Sequence, residues 1–179
     1  LFDVAIAGPI AGLIIAIIVC IFGAYTSPEI SNELADELFS ESQLMKMNMP
    51  ILMSISLDIF DKGGNDKEVI MSPILFAAWL GFLITFLNLL PAWQLDGGHM
   101  ARALFGKKWH QIATYASMGV LAVLGYWFMA LFILVLSARS RDAKPLDDIS
   151  PLSKNRKKMF IVIAVLGILC APLPSGILP

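Results

Sequence analysis

Apolar and polar residues follow one another along this chain in long blocks rather than in single steps. The first apolar block runs from Val4 to Tyr25, 22 residues without a charge. As an α-helix rising about 1.5 Å per residue it spans a hydrocarbon core of about 30 Å. Gly8, Pro9 and Gly12 fall in its first turns, where small residues admit a close neighbouring helix and a proline is tolerated. A second block covers Met71 to Leu90, a third Ile112 to Leu136, and a last one Met159 to about Leu173, ending in a tail with Pro172, Pro174 and Pro179. The pattern predicts an all-α fold, a polytopic bundle of transmembrane helices forming one domain over residues 1–179.

The second block meets Pro91 and then Ala92-Trp93-Gln94-Leu95-Asp96-Gly97-Gly98-His99. Pro91 has no backbone N–H, and the glycine pair accepts backbone angles that other residues resist. A broken helix is therefore predicted at Asn88–Gly98. Met100 to Phe105 reads as a short helix stopped by Gly106, with Lys107 and Lys108 after it.

Two polar stretches separate the blocks. Residues 26–70 hold nine acids and three bases, a net charge of −6. They read as an acidic extramembrane or interfacial insert, with a surface helix over Asn32 to Leu44, an apolar stretch over Met45 to Phe60 and a turn at Lys62 to Asp66. Residues 139–158 hold seven bases and three acids, a net of +4. Short basic loops face the cytoplasm. Keeping this one on the same side as Lys107 and Lys108 requires the third block to turn back on itself, and Gly125-Tyr126-Trp127 is the place for a hairpin tip resting at the interface.

Composition agrees with the blocks. The chain is 58% hydrophobic and 15% charged, with mean hydropathy +0.76. Soluble domains run near ~45–50% apolar and ~25% charged. A net charge of −1 gives no reason to expect a nucleic-acid partner. Cys20 and Cys170 lie inside apolar runs and suggest no disulfide framework. Leu1 opens the chain without the basic flank or small-residue cleavage site of a signal peptide, so it reads as a piece of something longer.

The chemistry concentrates at Asn88-Leu89-Leu90-Pro91-Ala92-Trp93-Gln94-Leu95-Asp96-Gly97-Gly98-His99. A carboxylate at the end of a membrane span costs roughly 2.5–3.5 kcal/mol on insertion scales, and such groups are paired, wet or bound to metal. One reading makes Asp96 the cap of the helix beginning at Gly97-Gly98. The other leaves it paired, wet or bound to metal. Asn88, taken by itself, reads as a helix–helix hydrogen bonder. His110, beside Trp109 in a basic segment, reads as a snorkelling surface residue.

The pattern Asn-x-x-Pro-x-x-x-Leu-Asp-Gly-Gly-His closing an apolar span resembles the second signature of the site-2 protease family. It looks closest to the branch of the plant ethylene-dependent gravitropism-deficient proteases and their prokaryotic relatives. Leu1-Phe2-Asp3-Val4-Ala5-Ile6-Ala7-Gly8-Pro9-Ile10-Ala11-Gly12 resembles a further block of that branch. The resemblance implies an intramembrane zinc endopeptidase acting on membrane-spanning protein substrates within the lipid bilayer. It implies Asp96 as the third protein ligand of a catalytic zinc, whose bound water becomes an available hydroxide near neutral pH. It implies Asn88, Pro91, Gly97 and Gly98 as residues shaping the site. The family's other ligands and its general base sit in a His-Glu-x-x-His helix. Only His99 and His110 occur here, and neither stands in such a motif. Those ligands are expected upstream of Leu1. The competing reading is a non-catalytic membrane protein, either a pseudoprotease scaffold or a channel or transporter-like subunit with a broken helix.

Overall fold

The longest uncharged stretch folds as one helix, α1, over Phe2–Thr26. The structure, a computed structural model, describes residues 2–40, 47–64, 66–139 and 154–172. Helix α1 starts earlier than the sequence suggests, so Pro9 stands inside it rather than in its first turn, at the cost of one i→i−4 hydrogen bond. One of its faces is buried and the other is not. Leu13, Ala16, Cys20 and Ala24 are buried, whereas Ile14, Ile15, Ile18 and Phe22 are exposed. Large apolar side chains left outward over several turns suit a helix in lipid. Ile6–Thr26 is the stretch among the described residues that is long and apolar enough to cross a membrane. Pro73–Leu89 and Lys158–Cys170 are shorter apolar helices.

The described residues are mostly helical, with α2 at Asn32–Ser40, α3 at Ile51–Asp58, α4 at Pro73–Leu89, α5 at Asp96–Val123, α6 at Trp127–Arg139 and α7 at Lys154–Cys170. Two compact units divide the chain. One comprises Leu1–Ile10 with Phe86–Ile168, the other Ala11–Thr85 with Leu169–Pro179.

In the unit containing Ala11–Thr85, α1 and α4 run antiparallel at close range. A Cβ added to Gly23 would lie 2.9 Å from the backbone of Leu75, and one added to Gly81 3.0 Å from Ala16. Glycine at these positions lets the two backbones touch. Phe82, Leu75 and Ala78 fill the buried face of α4. The acidic insert is not purely helical. Strand β1 (Glu29–Ser31) pairs antiparallel with β2 (Lys67–Val69), with Glu29 opposite Val69 and Ser31 opposite Lys67. Three residues per strand are too few to show an alternating pattern in the sequence. The predicted surface helix is present as α2, and the predicted apolar stretch contains α3, which buries Met53 and Leu57. Residues 41–46, at the junction of the two, lie outside the described residues. Lys62 Nζ donates to the carbonyls of Tyr25 and Ser27, satisfying the end of α1. Trp79 Nε1 donates to the Asn48 carbonyl at 2.8 Å. Cys20 and Cys170 are buried free thiols.

In the other unit, Ile6, Met100 and Ile163 form a buried cluster, with Leu89, Leu104 and Phe160 packed around it. Phe105 meets Phe160 edge to face at 5.7 Å. Helix α5 is interrupted at Gly106 (φ 78°, ψ 179°), a backbone region that is essentially glycine's alone. It ends in a Schellman turn: Tyr126 N–H donates to Leu121 O, Gly125 N–H to Ala122 O, and Gly125 takes φ 86°. The chain thus turns at Gly125-Tyr126, as predicted, and α6 touches α5 beyond the turn. Trp127, Phe128 and Leu131 on α6 are exposed. Of the basic 139–158 loop, residues 140–153 lie outside the described residues.

Candidate functional site

The break predicted at Asn88–Gly98 is a compact turn between two helices. Helix α4 ends at Leu89 and α5 begins at Asp96. Between them Leu90 N–H donates to Leu87 O, Ala92 N–H to Leu90 O, and Leu95 N–H to Ala92 O. The turn thus satisfies part of its backbone from within itself. Trp93 pays for the tightness with φ 45°, in the left-handed region.

Asp96 is not the helix cap. Leu95 occupies that position in extended conformation, with no side-chain cap hydrogen bond, and His99 N–H closes the first helical bond onto Leu95 O. Asp96 is instead the first helical residue, half-buried. A carboxylate in the first turn is favoured by the helix dipole. His99, one turn on and half-buried, is close enough to act on it electrostatically.

Gly97 and Gly98 serve by their lack of a side chain. Both are buried, and neither takes a positive φ, so backbone freedom is not the reason for them. A Cβ on Gly97 would overlap the carbonyls of Leu89 and Leu90, and one on Gly98 those of Ala92 and Trp93. The start of α5 is thereby seated directly on the turn that precedes it. Asn88, in the last turn of α4, and Pro91, in the turn, are both half-buried. Gly8 of α1 faces the carboxylate: a methyl placed on it would lie 3.8 Å from Asp96 Oδ2. The two blocks that carried the resemblance, far apart in sequence, meet at this atom.

The profile of Peptidase family M50 matches residues 1–132. This chain belongs to peptidase family M50. It is 32% identical over 112 residues to the probable zinc metalloprotease EGY3, chloroplastic, of Oryza sativa subsp. indica, covering 59% of this chain and 19% of that protein. It is 30% identical over 115 residues to the probable zinc metalloprotease EGY2, chloroplastic, of Arabidopsis thaliana, covering 60% of this chain and 20% of the relative. The chain spans about a fifth of the length of the curated relatives it matches. No solved structure matches it.

The M50 relatives are named for zinc, which prompts the question of what this chain offers such an ion. Among the described residues no three His, Cys, Asp or Glu side chains gather to hold a metal. Asp96 stands as a single carboxylate, which is one ligand and not a zinc site.

Sequence reasoning missed the role of His110. It is half-buried, not a snorkelling surface residue, and its Nε2 lies 2.8 Å from the Trp93 carbonyl. A carbonyl only accepts, so this nitrogen carries the proton. Thr114, buried one helical turn further on, accepts the Trp93 N–H at 3.0 Å and donates its own proton to His110 O at 2.9 Å. The signal in the sequence was slight: a histidine and a threonine four apart share one helix face.

Proposed function

We propose that this chain is the part of an M50 intramembrane zinc endopeptidase that carries one ligand of the metal, Asp96. The observation supporting this is the state of that carboxylate. It sits at the first residue of a helix, is not spent on capping, and is faced by Gly8 of the Leu1–Gly12 block. The remaining ligands and the general base come from residues outside this chain, and no catalytic step is assigned to the residues described. Asn88, Pro91, Gly97 and Gly98 shape the site, the glycine pair by letting Asp96 approach the end of α4.

The protein is a multi-pass membrane protein whose substrates are membrane-spanning segments. Support comes from the exposed apolar faces of α1, α6 and α7, where Ile15, Ile18, Phe128, Ile161 and Ile168 are each 60% exposed or more. In water such faces would cost roughly 25 cal/mol per Å².

The test uses the whole protein in membranes. Asp96→Asn and Asp96→Ala are expected to lower cleavage of a membrane-spanning substrate by more than about 100-fold, since even partners behind a ligand are worth 10–100-fold. Zinc content should fall in parallel while expression is unchanged. Cleavage by Asp96→Ala at the parent rate would refute the assignment and favour a non-catalytic role.

A further inference from the structure

The turn that delivers Asp96 is held in shape from α5. Trp93 is the strained residue of that turn, at φ 45°. Both of its backbone polar groups are taken by side chains on the far side of the Gly106 bend: the N–H by Thr114 Oγ1 and the carbonyl by His110 Nε2–H. Thr114 also donates to His110 O, so the two clamping residues are tied to each other. Gly106, at φ 78° and ψ 179°, interrupts α5 between the turn and its clamp. From Trp93 the path to the carboxylate is short and stiff. Leu95 N–H is bonded to Ala92 O, His99 N–H to Leu95 O, and Gly98 is pressed on Ala92 and Trp93. A change at Trp93 has little slack in which to dissipate before Asp96.

We infer that His110 and Thr114 are positioning residues, which act through the Trp93 backbone to hold Asp96 where its carboxylate is used. The inference rests on the reading of Asp96 as a ligand of the proteolytic site. It assigns a function to the Asp96-distal half of α5, where the chemistry of the turn alone gives none. Residues that orient a ligand indirectly commonly matter for activity without touching the reacting atoms.

The experiment compares removal with conservative replacement in the whole membrane protein. Thr114→Val keeps the shape and loses the hydroxyl, while Thr114→Ser keeps the hydroxyl. His110→Leu loses the donor, while His110→Gln places an N–H near the position of Nε2. Two readouts are taken. One is kcat and KM for cleavage of a membrane-spanning substrate. The other, independent of activity, is the rate of maleimide labelling of a cysteine introduced at the exposed Gln94→Cys position. Thr114→Val and His110→Leu are expected to lower kcat about 10–100-fold with KM little changed, and to speed labelling several-fold. Thr114→Ser and His110→Gln are expected to restore both readouts.

Labelling at the parent rate in the removal variants overturns the inference, because the turn then does not depend on the clamp. Faster labelling with unchanged kcat overturns it as well, because Asp96 then does not depend on the turn. If a removal variant fails to accumulate, the conservative pair decides: failure of Thr114→Ser and His110→Gln to retain kcat sinks the idea. Failure of the ligand reading itself is told apart by Asp96→Ala, which would retain cleavage while the labelling result stands.

Discussion

Glycine does different work in the two units of this molecule. Inside the helices of the unit containing Ala11–Thr85 it is subtracted volume, where Gly23 admits the backbone of Leu75 and Gly81 admits Ala16, and among that unit's described glycines positive φ is confined to Gly63 in the turn after α3. In the unit containing Phe86–Ile168 it also interrupts helices, by positive φ at Gly106 and Gly125. The difference follows from what each region must achieve. Between helices in lipid the hydrophobic effect gives no net attraction, so close packing of small residues supplies the contact. Where a helix breaks, as between Leu89 and Asp96, every freed backbone group needs a partner from the protein. The Asp96 turn meets this demand with its own hydrogen bonds and with Thr114 and His110.

Substitution by alanine separates the two uses. The largest effect is expected at Gly97, where the added methyl overlaps two backbone carbonyls with no flexible side chain to yield. Gly97→Ala should cost about 3 kcal/mol or more, the upper end of overpacking, read as a lowered midpoint of thermal unfolding in detergent micelles. Retention of the parent midpoint would mean that α5 is not seated on the carbonyls of Leu89 and Leu90.

Gly23→Ala comes next, because Leu75 Cα and N at 2.9 Å force α1 and α4 apart. An expected loss of about 1–3 kcal/mol contrasts with Gly12→Ala, whose methyl would meet Thr85 Oγ1 at an ordinary 3.8 Å. Equal losses at the two sites would break the idea that contact between α1 and α4 depends on particular small residues.

Gly106→Ala meets no steric neighbour within 4 Å, so its cost is backbone strain alone, about 1–3 kcal/mol. It should also speed labelling at Gln94→Cys if the bend serves the clamp. Gly119→Ala is the smallest and opposite in sign. Gly119 lies in the helical second part of α5 with nothing within 4 Å, and alanine there should stabilise by about 0.5–1 kcal/mol. A destabilisation would reveal a neighbour that the described residues lack.

Much of the helix break was legible because its signals are local. The length of an apolar run reports a span, the missing N–H of Pro91 reports a helix end, and Asp96 between them reports a polar group where one is costly. The turn at Gly125 was legible from the charge of the loop beyond it together with the glycine itself. The β1–β2 ribbon was not, because its strands are three residues long and pair across the acidic insert. The glycine pair was noticed for the wrong reason. Flexibility was expected of Gly97 and Gly98, and only the position of neighbouring carbonyls showed that space is what they provide.

Residue order alone was enough to read a mostly helical chain with long apolar runs, broken at Asn88–Gly98, and to single out Asp96 there. These follow from properties each residue brings with it: hydropathy, a fixed φ, an absent side chain, a charge. The tertiary structure decided the rest. It showed that Leu95 and not Asp96 holds the cap position, that Gly8 faces Asp96 Oδ2, and that His110 and Thr114 grip Trp93 across the Gly106 bend. Each of these depends on a distance between residues that the order of the chain leaves open. Hydrogen bonds and steric contacts act only within a few ångströms, so only folding could establish them.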